Sequence, residues 1–206
     1  REGKSVVLKE YPDHRLAFTG HSLGGALATI AAVDFKVHSA QRVECFNHAQ
    51  TLADESARKT NRRRSWIAAT RNVLQQTEVC TFGAPRCGNK VWAQMADGLL
   101  KEHYRVTVFG DIVTDIPPTR LKYRHCGLDV QIDHTGAGSI LVDPGFLDSL
   151  LRRKLTKLSV SKHALSTYKR GLTGVRDSSL FLIQEQKEAQ KLAEAESGQM
   201  GGSRDP

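Results

Sequence analysis

Apolar positions along the chain gather into short runs that end at glycine or proline, separated by longer mixed stretches. Residues 15–19 (RLAFT) read as a short buried strand that runs straight into Gly20-His21-Ser22-Leu23-Gly24-Gly25. Residues 26–33 are apolar on nearly every face, which predicts a helix buried against a sheet on one side and covered on others. Residues 78–82 predict a second buried strand closed by Gly83 and Pro85, residues 89–100 an amphipathic helix, and residues 104–109 a third strand. Pro117 and Pro118 impose an extended loop. Residues 123–126 and 128–132, around Gly127, predict a hairpin or bulged strand pair. Residues 161–171 are helix-like, and 180–183 are apolar and short. Strand, sharp turn and buried helix together imply an α/β fold, a central sheet flanked by helices.

Other stretches carry less pattern. Residues 3–11 hold no more than the tail of a helix, stopped by Pro12 and Asp13. Residues 41–76 set Arg58, Lys59, Arg62, Arg63, Arg64 and Arg71 among polar residues and read as a basic surface insertion, partly helical near 66–73. From Gln184 the chain is Gln, Glu, Lys and Ala and then Gly-rich, so 184–206 reads as a polar tail fading into disorder behind one domain, 1–183.

Composition narrows the function classes. The 206 residues suit one domain with a real core, and no apolar run is long enough for a membrane-spanning helix. Thirty Lys and Arg against 22 Asp and Glu give +8, which permits an anionic partner. The basic insertion reads first as a solvated loop. Its second reading is peripheral contact with an anionic lipid surface, at about 1 kcal/mol per basic residue near the headgroups. It lacks the interleaved aromatics of a nucleic-acid platform, so no nucleic-acid partner is expected. Cys45, Cys80, Cys87 and Cys126 show no CxxC spacing, so sequence alone supports no metal site, no disulfide framework and no cofactor. The chain opens on Arg1 rather than Met, so it is expected to be a piece of a longer protein; compartment and oligomeric state stay open.

The chemistry sits at Gly20-x-Ser22-x-Gly24, a nucleophile-elbow pattern between strand and helix. The strained turn lifts the Ser22 hydroxyl clear of the sheet, and glycines on either side are expected because side chains there would collide. The Leu23 N–H, at a helix N-terminus, is placed to hold an oxyanion. A serine needs a base and the base an orienting acid, in the order Ser, Asp, His for this kind of elbow. Asp111, directly after the third strand, is the first candidate acid and Asp115 its competitor. His125, His134 and His163 are the candidate bases, with His163 favoured by its loop-to-helix position. His21 is read as a packing residue.

Several ordered blocks then resemble the class 3 (fungal-type) lipases. Thr19-Gly-His-Ser-Leu-Gly-Gly-Ala-Leu-Ala is similar to their serine motif, and Thr81-Phe-Gly-Ala-Pro-Arg86-Cys-Gly-Asn89 to their T-F-G-x-P-R-x-G-N block. Tyr104-Arg-Val, Asp111-Ile-Val with Pro117-Pro118, and Tyr123-Arg-His-Cys-Gly127 resemble the strands and turn around their acid. His163 with Tyr168 is similar to the signature of their base. The resemblance spans roughly residues 5–170, omitting 41–76, and implies an α/β-hydrolase fold with Ser22, Asp111 and His163 as triad and no cofactor. It implies a serine ester hydrolase acting on acylglycerols or related lipid esters. A short-chain or feruloyl-type esterase and a non-catalytic lipase-like scaffold are the alternatives. The family's lid, second oxyanion donor and first strands lie upstream of the nucleophile strand, where this chain has only fifteen residues. An open sheet edge and weak turnover are therefore expected, since one lost donor costs about 10²–10³ in rate.

Overall fold

The computed structural model describes residues 14–52, 76–145 and 158–200. The readings over residues 3–11 and 66–73, and the basic cluster from Arg58 to Arg71, lie outside the described residues.

Four strands run parallel in the main sheet: β1 (Leu16–His21), β2 (Thr77–Phe82), β4 (Glu102–Val108) and β6 (Leu128–Ile132). A three-residue β7 (Ile140–Val142) adds antiparallel to β6, giving the order β1-β2-β4-β6-β7. Two-residue strands β3 (Gly88–Asn89) and β5 (Tyr123–Arg124) pair separately. Among the described residues, three α-helices accompany the strands: α1 (Leu23–Leu52), α2 (Lys90–Leu99) and α3 (Leu165–Met200).

A parallel sheet must be covered on both faces, and two apolar clusters do this. On one face Val79 and Cys126 meet Ala32 and Val33 of α1 and Ala93 and Ala96 of α2. On the other, Val106, Val108 and Ile132 meet Tyr168 of α3. β2 lies between β1 and β4 and alternates fully buried Thr77, Val79 and Thr81 with half-buried neighbours. The start of α2 is fixed by Asn89, whose Oδ1 accepts the Trp92 N–H at 2.9 Å.

The structure corrects five readings. β1 is the sheet's edge among the described residues and alternates exposed with half-buried positions, so it is not a buried strand. For the same reason α1 is covered on one face only: Ala26, Thr29, Ala32 and Val33 are buried while Leu23, Leu27 and Ile30 stay exposed. The helix also runs on to Leu52, through the first part of the presumed insertion. Residues 123–124 and 128–132 do not pair with each other, because Gly127 at φ +80° turns the chain from the small sheet into the large one. Finally, α3 continues through Gly171 and Gly174, across residues 183 and 184, to Met200. Those glycines permit close approach rather than stopping the helix: a Cβ on Gly171 would lie 2.5 Å from the Asp133 carbonyl oxygen, and one on Gly174 2.2 Å from that of Gly136.

No helix among the described residues is long and apolar enough to cross a membrane.

Candidate active site

β1 delivers Ser22 at φ +59°, a left-handed conformation costly for any residue with a Cβ, immediately before α1. The turn is held because the Ser22 N–H donates to the Phe82 carbonyl at the end of β2 (2.9 Å) and the Ser22 carbonyl accepts from Gly25 (3.0 Å). The steric reason for glycine holds on one side of the serine only. A Cβ on Gly20 would sit 2.3 Å from the Gly24 oxygen, whereas one on Gly24 meets nothing within 4 Å. The helix-side constraint falls on Gly25 instead, whose Cβ would press within 2.9 Å of the Ala84 Cβ and the Gly20 oxygen. Leu23 opens α1, so its N–H has no acceptor within the helix and lies beside the serine.

Asp111 follows β4 and is 1% exposed. Its position is tied to the chain carrying the histidine: Asp111 bridges Ser159, and the Ser159 N–H donates to the Gly110 carbonyl at 2.9 Å. A short 3₁₀ turn, Ser161–His163, then presents the imidazole just ahead of α3. The His163 Nδ1 lies 2.8 Å from Asp111 Oδ2, and its Nε2 lies 2.7 Å from Ser22 Oγ. A carboxylate only accepts, so Nδ1 carries the ring proton and Nε2 is left to accept from the serine hydroxyl. Ser22, His163 and Asp111 thus form one continuous hydrogen-bonded line, 141 and 52 residues apart in sequence at its two joints.

The competing candidates are engaged elsewhere. Asp115 receives the guanidinium of Arg86, which also donates to the Pro117 carbonyl at 3.0 Å. His125 Nε2 donates to the Thr114 carbonyl at 2.8 Å, and burial with the nearby Arg105 and Arg86 pushes its pKa down to about 2. His134 faces Asp133 at 3.6 Å.

Two contacts go beyond the sequence reading. The Tyr168 hydroxyl donates to Asp111 Oδ2 at 2.7 Å and accepts the Val108 N–H at 3.2 Å, while the Val113 N–H donates to Asp111 Oδ1 at 2.9 Å. Burial first, and the bond to Asp111 second, push the Tyr168 hydroxyl pKa upward, so it stays a donor. The close fit explains Gly83, where a Cβ would meet the Tyr168 hydroxyl at 2.8 Å. His21 stacks on His163 with centroids 4.6 Å apart, and its Nε2 lies 2.9 Å from the His163 carbonyl oxygen. It packs, but against the candidate base itself. Its place in sequence, beside the nucleophile, gives no sign of that partner.

Known proteins resemble this arrangement in sequence and in shape. A secreted mono- and diacylglycerol lipase from Fusarium solani is 28% identical over 122 residues, 59% of this chain and 26% of that protein. The triacylglyceride lipase of Rhizomucor miehei superposes with a TM-score of 0.54 at 23% identity, over 79% of this chain and 52% of its own. A further triacylglycerol lipase, described as having a serine protease triad as its catalytic centre, superposes at 0.51 and 23% identity, over 76% and 48%. The chain therefore spans about a quarter of the Fusarium relative and about half of these solved structures. These likenesses show the α/β-hydrolase fold, and the family model for lipase (class 3) matches residues 2–121, more than half of the chain. The chain is a member of the class 3 lipase family.

Proposed function

We propose that this chain carries the catalytic triad of a serine carboxylester hydrolase acting on acylglycerols or related lipid esters. The observation that carries the reading is the line from Ser22 Oγ through His163 to Asp111, with joints of 2.7 and 2.8 Å. Ser22 attacks the ester carbonyl carbon while His163 Nε2 takes its proton, and the Leu23 N–H faces the oxygen that becomes negative. The imidazolium, steadied by Asp111, then gives that proton to the departing alcohol and leaves an acyl-serine. Water, deprotonated by the same nitrogen, releases the acid and restores the serine. The lipid-ester substrate class rests on family membership and on what the Fusarium relative's name says that protein acts upon.

Fluorophosphonate labelling of the chain tests this directly. The expected result is covalent modification at Ser22, lost in Ser22→Ala and slowed by orders of magnitude in His163→Ala. Labelling that persists in Ser22→Ala, or none in the folded parent chain, refutes it.

A further inference from the structure

At the opposite end of β4 from Asp111, three donors that no spacing rule connects come together. Asp97 near the end of α2, His103 at the start of β4 and Cys126 after β5 place one oxygen, one nitrogen and one sulfur within 4.8 Å of one another. Cys126 is 5% and His103 3% exposed, while Asp97 lies at the surface. Among the described residues neither ring nitrogen of His103 has a hydrogen-bond partner, an arrangement buried polar atoms normally avoid because each unmet bond costs about 1–3 kcal/mol.

The backbone is shaped around the cluster. The Gly127 N–H donates to Asp97 Oδ1 at 2.7 Å, fixing the carboxylate as outer hydrogen bonds fix metal ligands. Gly127 sits at φ +80°, and a Cβ there would lie 2.6 Å from the His103 ring. Only a glycine lets the Cys126–Gly127 corner ride on the imidazole and bring the thiol beside it.

We propose that Asp97, His103 and Cys126 form a divalent metal site of the Zn²⁺ class, structural rather than catalytic. The donor set decides the ion: nitrogen, sulfur and oxygen together suit Zn²⁺, whereas Mg²⁺ and Ca²⁺ take oxygen alone. Bonds of about 2.0–2.3 Å in a tetrahedron put donors about 3.5 Å apart, so the three draw in by about 1 Å on binding. The exposed Asp97 side supplies the entry path and the fourth position, for water. His103 is already unprotonated at neutral pH, with its pKa held down to about 4 by burial and Arg105. Cys126 binds as thiolate. Burial raises its pKa to about 12, so binding releases one proton and weakens as pH falls. Thiolate and carboxylate together neutralise the dication. In parallel sheets the reacting groups gather at the strands' C-terminal ends, where Ser22 and Asp111 lie, so an ion at the start of β4 ties α2, β4 and the β5–β6 turn together.

The test is titration of the chelator-treated chain with Co²⁺ alone and with Zn²⁺ alone. One equivalent of Co²⁺ is expected to raise a thiolate-to-cobalt charge-transfer band, displaced by Zn²⁺, and Zn²⁺ to raise the Tm. Cys126→Ser removes the band and Cys87→Ser keeps it. Asp97→Asn, at a surface position where folding is safe, weakens Zn²⁺ binding at least about tenfold. A parent chain that binds neither ion overturns the proposal, as does a band that survives Cys126→Ser or affinity unchanged in Asp97→Asn.

Discussion

Replacing Tyr168 by Phe removes a single oxygen that the structure places between two partners. The ring stays, with its edge-on contact to His21 at 5.5 Å and its place in the core at 1% exposure, so no cavity opens. What is lost is the 2.7 Å bond to the buried Asp111 carboxylate and the 3.2 Å bond from the Val108 N–H. A hydrogen bond to a charged group contributes about 1.5–3 kcal/mol. The longer Val108 bond adds about 1 kcal/mol, because that N–H is left buried without a partner. The folded state should therefore lose about 2–4 kcal/mol, a large share of a domain's margin. Reactivity should suffer much less. Asp111 keeps the His163 Nδ1–H and the Val113 N–H, so the imidazole stays aligned with Ser22. The assay pairs urea unfolding with the rate of fluorophosphonate labelling at Ser22. Stability should fall by the stated amount while labelling slows less than about tenfold, about 1.4 kcal/mol. Unchanged stability would refute the weight given to the hydroxyl. Labelling slowed a thousandfold in a protein of parental stability would refute the division of roles and put Tyr168 in the chemistry.

Two further outcomes follow from the same geometry. Gly20→Ala drives a Cβ into backbone at 2.3 Å, where no side chain can swing aside, and should cost more than about 3 kcal/mol; Gly24→Ala, in open space on a helix, should be neutral or about 0.5 kcal/mol stabilising. Equal losses in denaturant melts would contradict that asymmetry. His103, buried and lowered from 6.5 to about 4, binds its proton more weakly folded than unfolded. Its contribution is therefore complete above the unfolded value and lost as pH falls toward 4, by about 3 kcal/mol in all, and His125 acts in the same direction. In chelator, His103→Gln should flatten the acid limb of the stability profile; a limb as steep as the parent's would show that the histidine is not the cause.

How much of this was legible beforehand depended on whether the governing contact was local. The elbow at Ser22 and the parallel strands showed through because glycine spacing and short apolar runs are local signals. The pairing of Ser22, His163 and Asp111 came from chain order, from the place of Asp111 after a strand and of His163 ahead of a helix, and from family resemblance, since nothing in the residues between them states which histidine turns inward. Contacts across the fold stayed hidden. Gly171 looked like a helix end because the Asp133 carbonyl that requires a glycine there lies more than thirty residues away. Asp97, His103 and Cys126 share no motif and meet only because α2, β4 and the turn before β6 converge. Exposure was misjudged at β1 and α1 because apolar composition says what wants covering, not whether a neighbour is there to cover it.

The nucleophile also stands on different footing from its partners. Asp111 and His163 ride on segments stitched to β4 and to each other, while Ser22 hangs from β1, which among the described residues is the outermost strand and pairs on one side only. Outermost strands fray ahead of the rest. Gentle denaturation should thus part the serine from its base while most of the helix signal survives, leaving a largely folded but unreactive protein.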